Sequence, residues 1–157
     1  WNPDISKDLC LSFFLNFGGE YVKRISYASS FGVENWPLKY ETLLPKIKDV
    51  PTIFWLDAHL PGSEIGLPLS YEKNKKIKMP MEDEIILIKT LKNTKNDIIM
   101  CDDLYHYMDG NYTAGNWKYR KELGGDNINF IYDNFQDSHE ITINNKGGGC
   151  IVILPKK

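Results

Sequence analysis

Two short apolar runs of one kind, with an amphipathic stretch between them, predict an α/β fold. Thr52-Ile53-Phe54-Trp55-Leu56 is apolar almost without interruption and stops at Asp57-Ala58-His59. Residues 97–101 follow the same pattern and stop at Asp102-Asp103. Runs of this length and β-rich composition suit strands buried on both faces of a parallel sheet. Between them Pro80 opens a stretch with Met81, Ile85, Ile88 and Leu91 at helical spacing. Glu82, Asp83 and Glu84 occupy its first turn, with Lys89 and Lys92 toward its end, as the helix dipole favours. Strand, crossover helix, strand makes the two runs parallel and their connection right-handed.

The flanking segments complete the picture. Asn2-Pro3 has the form of a helix cap followed by proline at the first helical position. Ile5, Leu9, Phe13 and Phe17, with Cys10 and Phe14 beside them, then form a helical face that Gly18-Gly19 closes. Residues 21–26 read as a strand running toward Ala28-Ser29-Ser30, and a short helix follows from Trp36 to Pro45. A polar loop covers 60–79 and a second covers 104–116. Beyond them come a short helix at 117–123, a strand at 129–132 and a hairpin pairing 140–143 with 150–154. The glycines at 147–149 lie between strands and open no helix, so they mark a turn and not a phosphate loop. The expectation is one domain over 1–157: a mainly parallel sheet flanked by helices, ending in an antiparallel hairpin.

Composition changes this picture little. A length of 157 residues matches a single core. A net charge of -2 disfavours a general nucleic-acid or membrane-surface binder. No apolar run reaches membrane-span length and no signal-peptide pattern opens the chain. Cys10, Cys101 and Cys150 are odd in number and sit in apolar stretches, which predicts reduced thiols in a cytoplasmic protein. The chain opens on Trp1 and not on methionine, which predicts that it is processed, trimmed or a fragment.

The candidate chemistry follows from the strand order. Parallel strands open their carboxyl ends on one edge of the sheet, where α/β proteins bind ligands. Asp57 and His59 leave one end; Asp102 and Asp103 leave the other. Adjacent strands put those ends about 5 Å apart. Carboxylates that close repel unless a cation or shared protons intervene, and Mg²⁺ is the hard ion suited to such oxygens. The plainer reading is that each Asp caps a turn or is merely solvated; acids at both strand ends favour a site. His59 reads equally as a general base, a metal ligand or an inert loop residue. His106 is expected to line the same cleft, and His139 to be structural. Lys73, Lys75, Lys76 and Lys78 are expected to form a solvated face of the long loop, with a phosphate-bearing substrate as the alternative.

Ile53-Phe54-Trp55-Leu56-Asp57-Ala58-His59, the amphipathic helix and Ile98-Ile99-Met100-Cys101-Asp102-Asp103 together resemble the later half of class I S-adenosylmethionine-dependent methyltransferases. The nearest likeness is to the metal-dependent O-methyltransferases, both catechol-type and sugar-modifying. The resemblance implies a Rossmann-like sheet, with Asp57, Asp102 and Asp103 holding Mg²⁺ beside a substrate hydroxyl. It equates Ala28-Ser29-Ser30 with the segment that touches the adenine of the donor, and the terminal hairpin with the family's sixth and seventh strands. His59 would take the hydroxyl proton, and the loops at 60–79 and 104–116 would close over a small-molecule or glycan substrate. The family's glycine-rich turn and the acid after its second strand are not found, which implies either that the first βαβ unit is lacking or that this is a shortened relative that cannot hold the donor in the usual way. Two other classes compete: a metal-dependent hydrolase of phosphate or acyl esters using the same acids, and a non-catalytic binding domain.

Overall fold

The computed structural model describes residues 11–17, 20–26, 41, 44–57 and 79–157, the first two segments as backbone alone. Strands β1 (Leu11–Phe17) and β2 (Glu20–Ser26) precede a 3-10 turn at Leu44–Ile47. Then follow β3 (Thr52–Leu56), helix α1 (Met81–Leu91) and β4 (Ile98–Cys101). A 3-10 turn at Leu104–His106 leads to the short helices α2 (Arg120–Leu123) and α3 (Asn129–Phe135). The chain closes with β5 (His139–Asn144) and β6 (Cys150–Pro155). The strands form one sheet of six in the order β1-β2-β3-β4-β6-β5.

The sheet is mixed, not mainly parallel. β2–β3 and β3–β4 are parallel; β1–β2, β4–β6 and β5–β6 are antiparallel. The expected hairpin is present, but its second strand, β6, lies between β4 and β5. From β2 to β4 the chain steps across the sheet in one direction, so the strand order does not reverse between β3 and β4.

Alternation along the central strands defines the core. Phe54 and Leu56 of β3, Ile99 and Cys101 of β4, and Ile151 and Ile153 of β6 are buried and in register on one face. Met81, Ile85 and Ile88 of α1 and Ile131 and Phe135 of α3 join them in a single apolar cluster. Ile53, Trp55, Ile98 and Met100 on the other face are only half-buried. The expectation of burial on both faces therefore fails for these strands.

Two element assignments also fail. The helix expected through Phe17 is, over 11–17, strand β1, paired with β2 from Leu11↔Ser26 to Phe17↔Glu20. Five of its seven residues are Leu or Phe, and so dense an apolar run fits either period. Gly18-Gly19 falls between the paired positions 17 and 20, the sequence expected at a two-residue hairpin connection. The rest of that helix lies outside the described residues, as does most of the helix expected from Trp36; within it residue 41 is helical, and a 3-10 turn covers Leu44–Ile47. The strand expected at 129–132 is helix α3. Its Ile, Phe and Tyr suggested a strand, yet the buried positions Ile128, Ile131 and Phe135 follow helical spacing. Asn127 Oδ1 accepts the Asn129 N–H at 2.9 Å and satisfies one donor of the first turn.

The glycine run is a turn, as expected, and it is closely packed. Gly149 has φ 86°, and a Cβ there would lie 2.3 Å from the Tyr112 ring. Gly149→Ala meets both backbone strain and a buried ring, so it should cost about 1–3 kcal/mol. Gly147, with φ 61° and open space around it, should cost about 1 kcal/mol when changed to Ala. Urea unfolding of the two variants would show the difference; equal losses would remove Tyr112 from the explanation.

Candidate functional site

The register of β3 against β4 is pinned at both ends. At the start of the strands, Asp97 Oδ1 accepts the Thr52 N–H at 2.9 Å and a proton of Lys92 Nζ at 3.0 Å. Lys92 also donates to Val50 O at 2.7 Å, and both Lys92 and Asp97 side chains are fully buried. At the far end the Asp102 N–H donates to Leu56 O at 2.9 Å. Ile53↔Ile98 through Leu56↔Cys101 lie between these clamps. The parallel, adjacent arrangement expected from the sequence is thus observed. Asp57 and Asp102 follow the paired residues Leu56 and Cys101, so they leave the sheet side by side.

The acids are not equivalent. Asp57 is exposed, whereas Asp102 and Asp103 are half-buried. Asp102 Oδ1 accepts the Asp103 N–H at 2.9 Å, so part of this carboxylate shapes the turn, as the plainer reading expected. Its Oδ2 has no hydrogen-bond partner among the described residues. Asp103 adopts a left-handed backbone, φ 53° and ψ 50°, the only non-glycine residue among those described with positive φ. Asp tolerates this region better than most residues, and such strain concentrates at turns and functional positions.

The hairpin turn forms one wall beside Asp103. A Cβ at Gly148 would lie 2.6 Å from Asp103 Oδ1 and 2.7 Å from the Tyr105 ring. Leu104 N–H donates to Gly149 O at 3.0 Å and Tyr105 N–H to Gly148 O at 2.8 Å. Farther along, Thr113 N–H donates to Asn145 O and Ala114 N–H to Gly147 O, each at 3.0 Å. The Arg120 guanidinium binds Asp109 and Gly125 O, holding the loop from within. The 104–116 segment, expected as a substrate cover, is therefore tied by its backbone to the terminal hairpin.

Three residues gain a role that the pattern alone did not assign. Burial, and after it the charges of Asp103 and Asp102, hold the Tyr105 phenol above its ordinary value. It stays protonated beside the acids and can donate a hydrogen bond. His106 is buried between Tyr105, at 4.3 Å between ring centroids, and Trp117, at 4.4 Å. It packs the loop interior instead of lining an open cleft. Glu84 is 1% exposed. Met81, Glu84, Ile85 and Ile88 follow the i, i+3, i+4, i+7 rule, so spacing could have placed this acid in the core. His139 is structural, as expected: it is buried, contacting Ser138 Oγ at 2.8 Å and Thr94 O at 3.1 Å. Burial lowers its tendency to protonate.

Asp57, Asp102 and Asp103 present only oxygen donors, which suits Mg²⁺ or a similar hard ion. Among the described residues no group of three or more His, Cys, Asp or Glu is placed to hold a metal. The three acids expected to share an ion are thus not brought together as a metal centre among the described residues. An ion there would have Asp57 and Asp102, at the paired strand ends, as its nearest carboxylates, with water completing its shell. His59, and Ala28, Ser29 and Ser30, which the resemblance assigns to the donor, lie outside the described residues. No helix among the described residues is long and apolar enough to cross a membrane. Compared with known proteins, the chain matches no family model, no curated protein and no solved structure.

Proposed function

We propose that this chain is the substrate-side part of an S-adenosylmethionine-dependent O-methyltransferase with a Rossmann-like sheet, acting on a sugar, glycan or small-molecule hydroxyl. The observation that carries the reading is the in-register ending of two parallel neighbours in acids, Asp57 after β3 and Asp102-Asp103 after β4. The sequence resemblance supplies the choice of reaction and donor. Within it, Asp57 and Asp102 hold a divalent ion, with Asp103 beside them. Bound there, the ion would lower the pKa of the substrate hydroxyl and orient it.

The chain's own residues do the remaining work. His59 would take the hydroxyl proton as the oxygen displaces S-adenosylhomocysteine from the methyl carbon, in line with the C–S bond that breaks. Tyr105 offers a protonated phenol at the rim, and Gly148 leaves room for the Asp103 carboxylate. Ala28, Ser29 and Ser30 contribute to the adenine side of the donor.

Calorimetry with S-adenosylhomocysteine tests the donor half of this reading. A form extended toward the N-terminus should bind it and methylate a hydroxyl, while this chain alone should bind it weakly. In the extended form His59→Ala should lower turnover far more than donor affinity, since a general base acts in the chemical step. Failure of the extended form to bind would end the methyltransferase reading and leave ester hydrolysis by the same acids to be assayed.

A further inference from the structure

We infer that β5 is a homotypic docking edge through which two copies of this chain pair, antiparallel, about Thr142. β5 is the terminal strand of the sheet, with no strand beyond it among the described residues. An edge strand presents outward-facing N–H and C=O groups, which proteins normally blunt with proline, lysine or a bulge. His139-Glu140-Ile141-Thr142-Ile143-Asn144 contains neither residue, its one acidic side chain is Glu140, and it pairs with β6 one for one, without a bulge. Ile143, paired with the core residue Ile151, is 37% exposed at this rim.

The strand is self-complementary in one register. Across a twofold axis perpendicular to the sheet, residues on the same face must pair, so the axis lies midway between one residue and its own copy. Centring on Thr142 sets Ile141 opposite the partner's Ile143, twice, and Thr142 opposite the partner's Thr142. Apolar and Thr–Thr pairs of this kind favour strand association. Glu140 then faces the partner's Asn144, and the partner's Lys146 stands two positions on, within diagonal reach of a long side chain. Glu140 and Lys146 are both exposed, and the ion pairs among the described residues are Lys92–Asp97 and Arg120–Asp109. Centring on Ile141 would instead bring the two Glu140 carboxylates to diagonal neighbours. Centring on Ile143 would need Asn145 in the ladder, and its carbonyl already accepts the Thr113 N–H.

Analytical ultracentrifugation from about 10 μM to about 1 mM protein covers the affinity range of so small an interface. The expected result is a reversible monomer–dimer equilibrium. Ile143→Lys should weaken it by about tenfold or more, a loss of about 1.4 kcal/mol or more. Lys146→Glu should also weaken it, and adding Glu140→Lys to that variant should restore it. All three side chains are exposed, and circular dichroism would verify that each variant keeps the fold. A monomer throughout the range, or a dimer that ignores Ile143→Lys and the charge exchange, would overturn the inference.

Discussion

Lys92→Met should lose about 3–5 kcal/mol of stability at neutral pH, the cost of leaving a buried charge without its partner. The Lys92 ammonium lies 2.9 Å from Asp97 Oδ2 as well as donating to Oδ1, and it is the only cation in contact with this carboxylate among the described residues. Burial holds the Asp97 carboxyl above its ordinary range, and Lys92 and the Thr52 N–H oppose that rise. Removing Lys92 raises it further. A carboxyl raised on folding contributes stability that is fully present below its unfolded value and is lost as pH rises through its folded value. The deficit of the variant should therefore be largest near neutrality and shrink as pH falls toward about 4. Urea unfolding of both proteins at about pH 7 and about pH 5 would measure this. Equal deficits at the two pH values would mean that Asp97 is not the buried charge that loses its partner in the substitution. The clamp also fixes the β3–β4 register, so the same variant should loosen the alignment of Asp57 with Asp102.

Asp102→Asn should weaken Mn²⁺ binding by about tenfold or more, a loss that even an outer partner of a metal ligand can cause. Asparagine keeps an oxygen to accept the Asp103 N–H, so the turn should survive. What it removes is the negative charge at Oδ2. Asp103→Asn should have the smaller effect, because the Asp103 carboxylate packs against Gly148 and Tyr105. A titration in which Asp103→Asn is the more damaging change would reverse these roles.

The contrast between what the sequence revealed and what it concealed has physical causes. β3, α1, β4 and the terminal hairpin were legible because each has a bounded apolar run with matching turn or helix-end chemistry. Their parallel neighbour relation followed from chain order alone. β1 is not legible because Leu11-Ser12-Phe13-Phe14-Leu15-Asn16-Phe17 satisfies either period, and the choice is made by pairing with β2. α3 is hidden because its β-favouring residues outweigh three buried positions at helical spacing. The placement of β6 between β4 and β5 is a long-range outcome with no local signal. At the site, the acids at strand ends were visible as composition. The left-handed turn at Asp103, and its packing on Gly148, bring together residues about forty-five positions apart and leave no local mark.

The proposed divalent-cation site lies at the paired ends of β3 and β4. Paramagnetic broadening of amide signals by substoichiometric Mn²⁺ reads it most directly, because the effect falls steeply with distance from the ion. The prediction is that Asp57, Asp102, Asp103 and Tyr105 lose intensity first, and that Asp102→Asn abolishes this at the same Mn²⁺ concentration. Broadening that begins instead at the acidic first turn of α1, Glu82-Asp83-Glu84, or that is unchanged by Asp102→Asn, would contradict it.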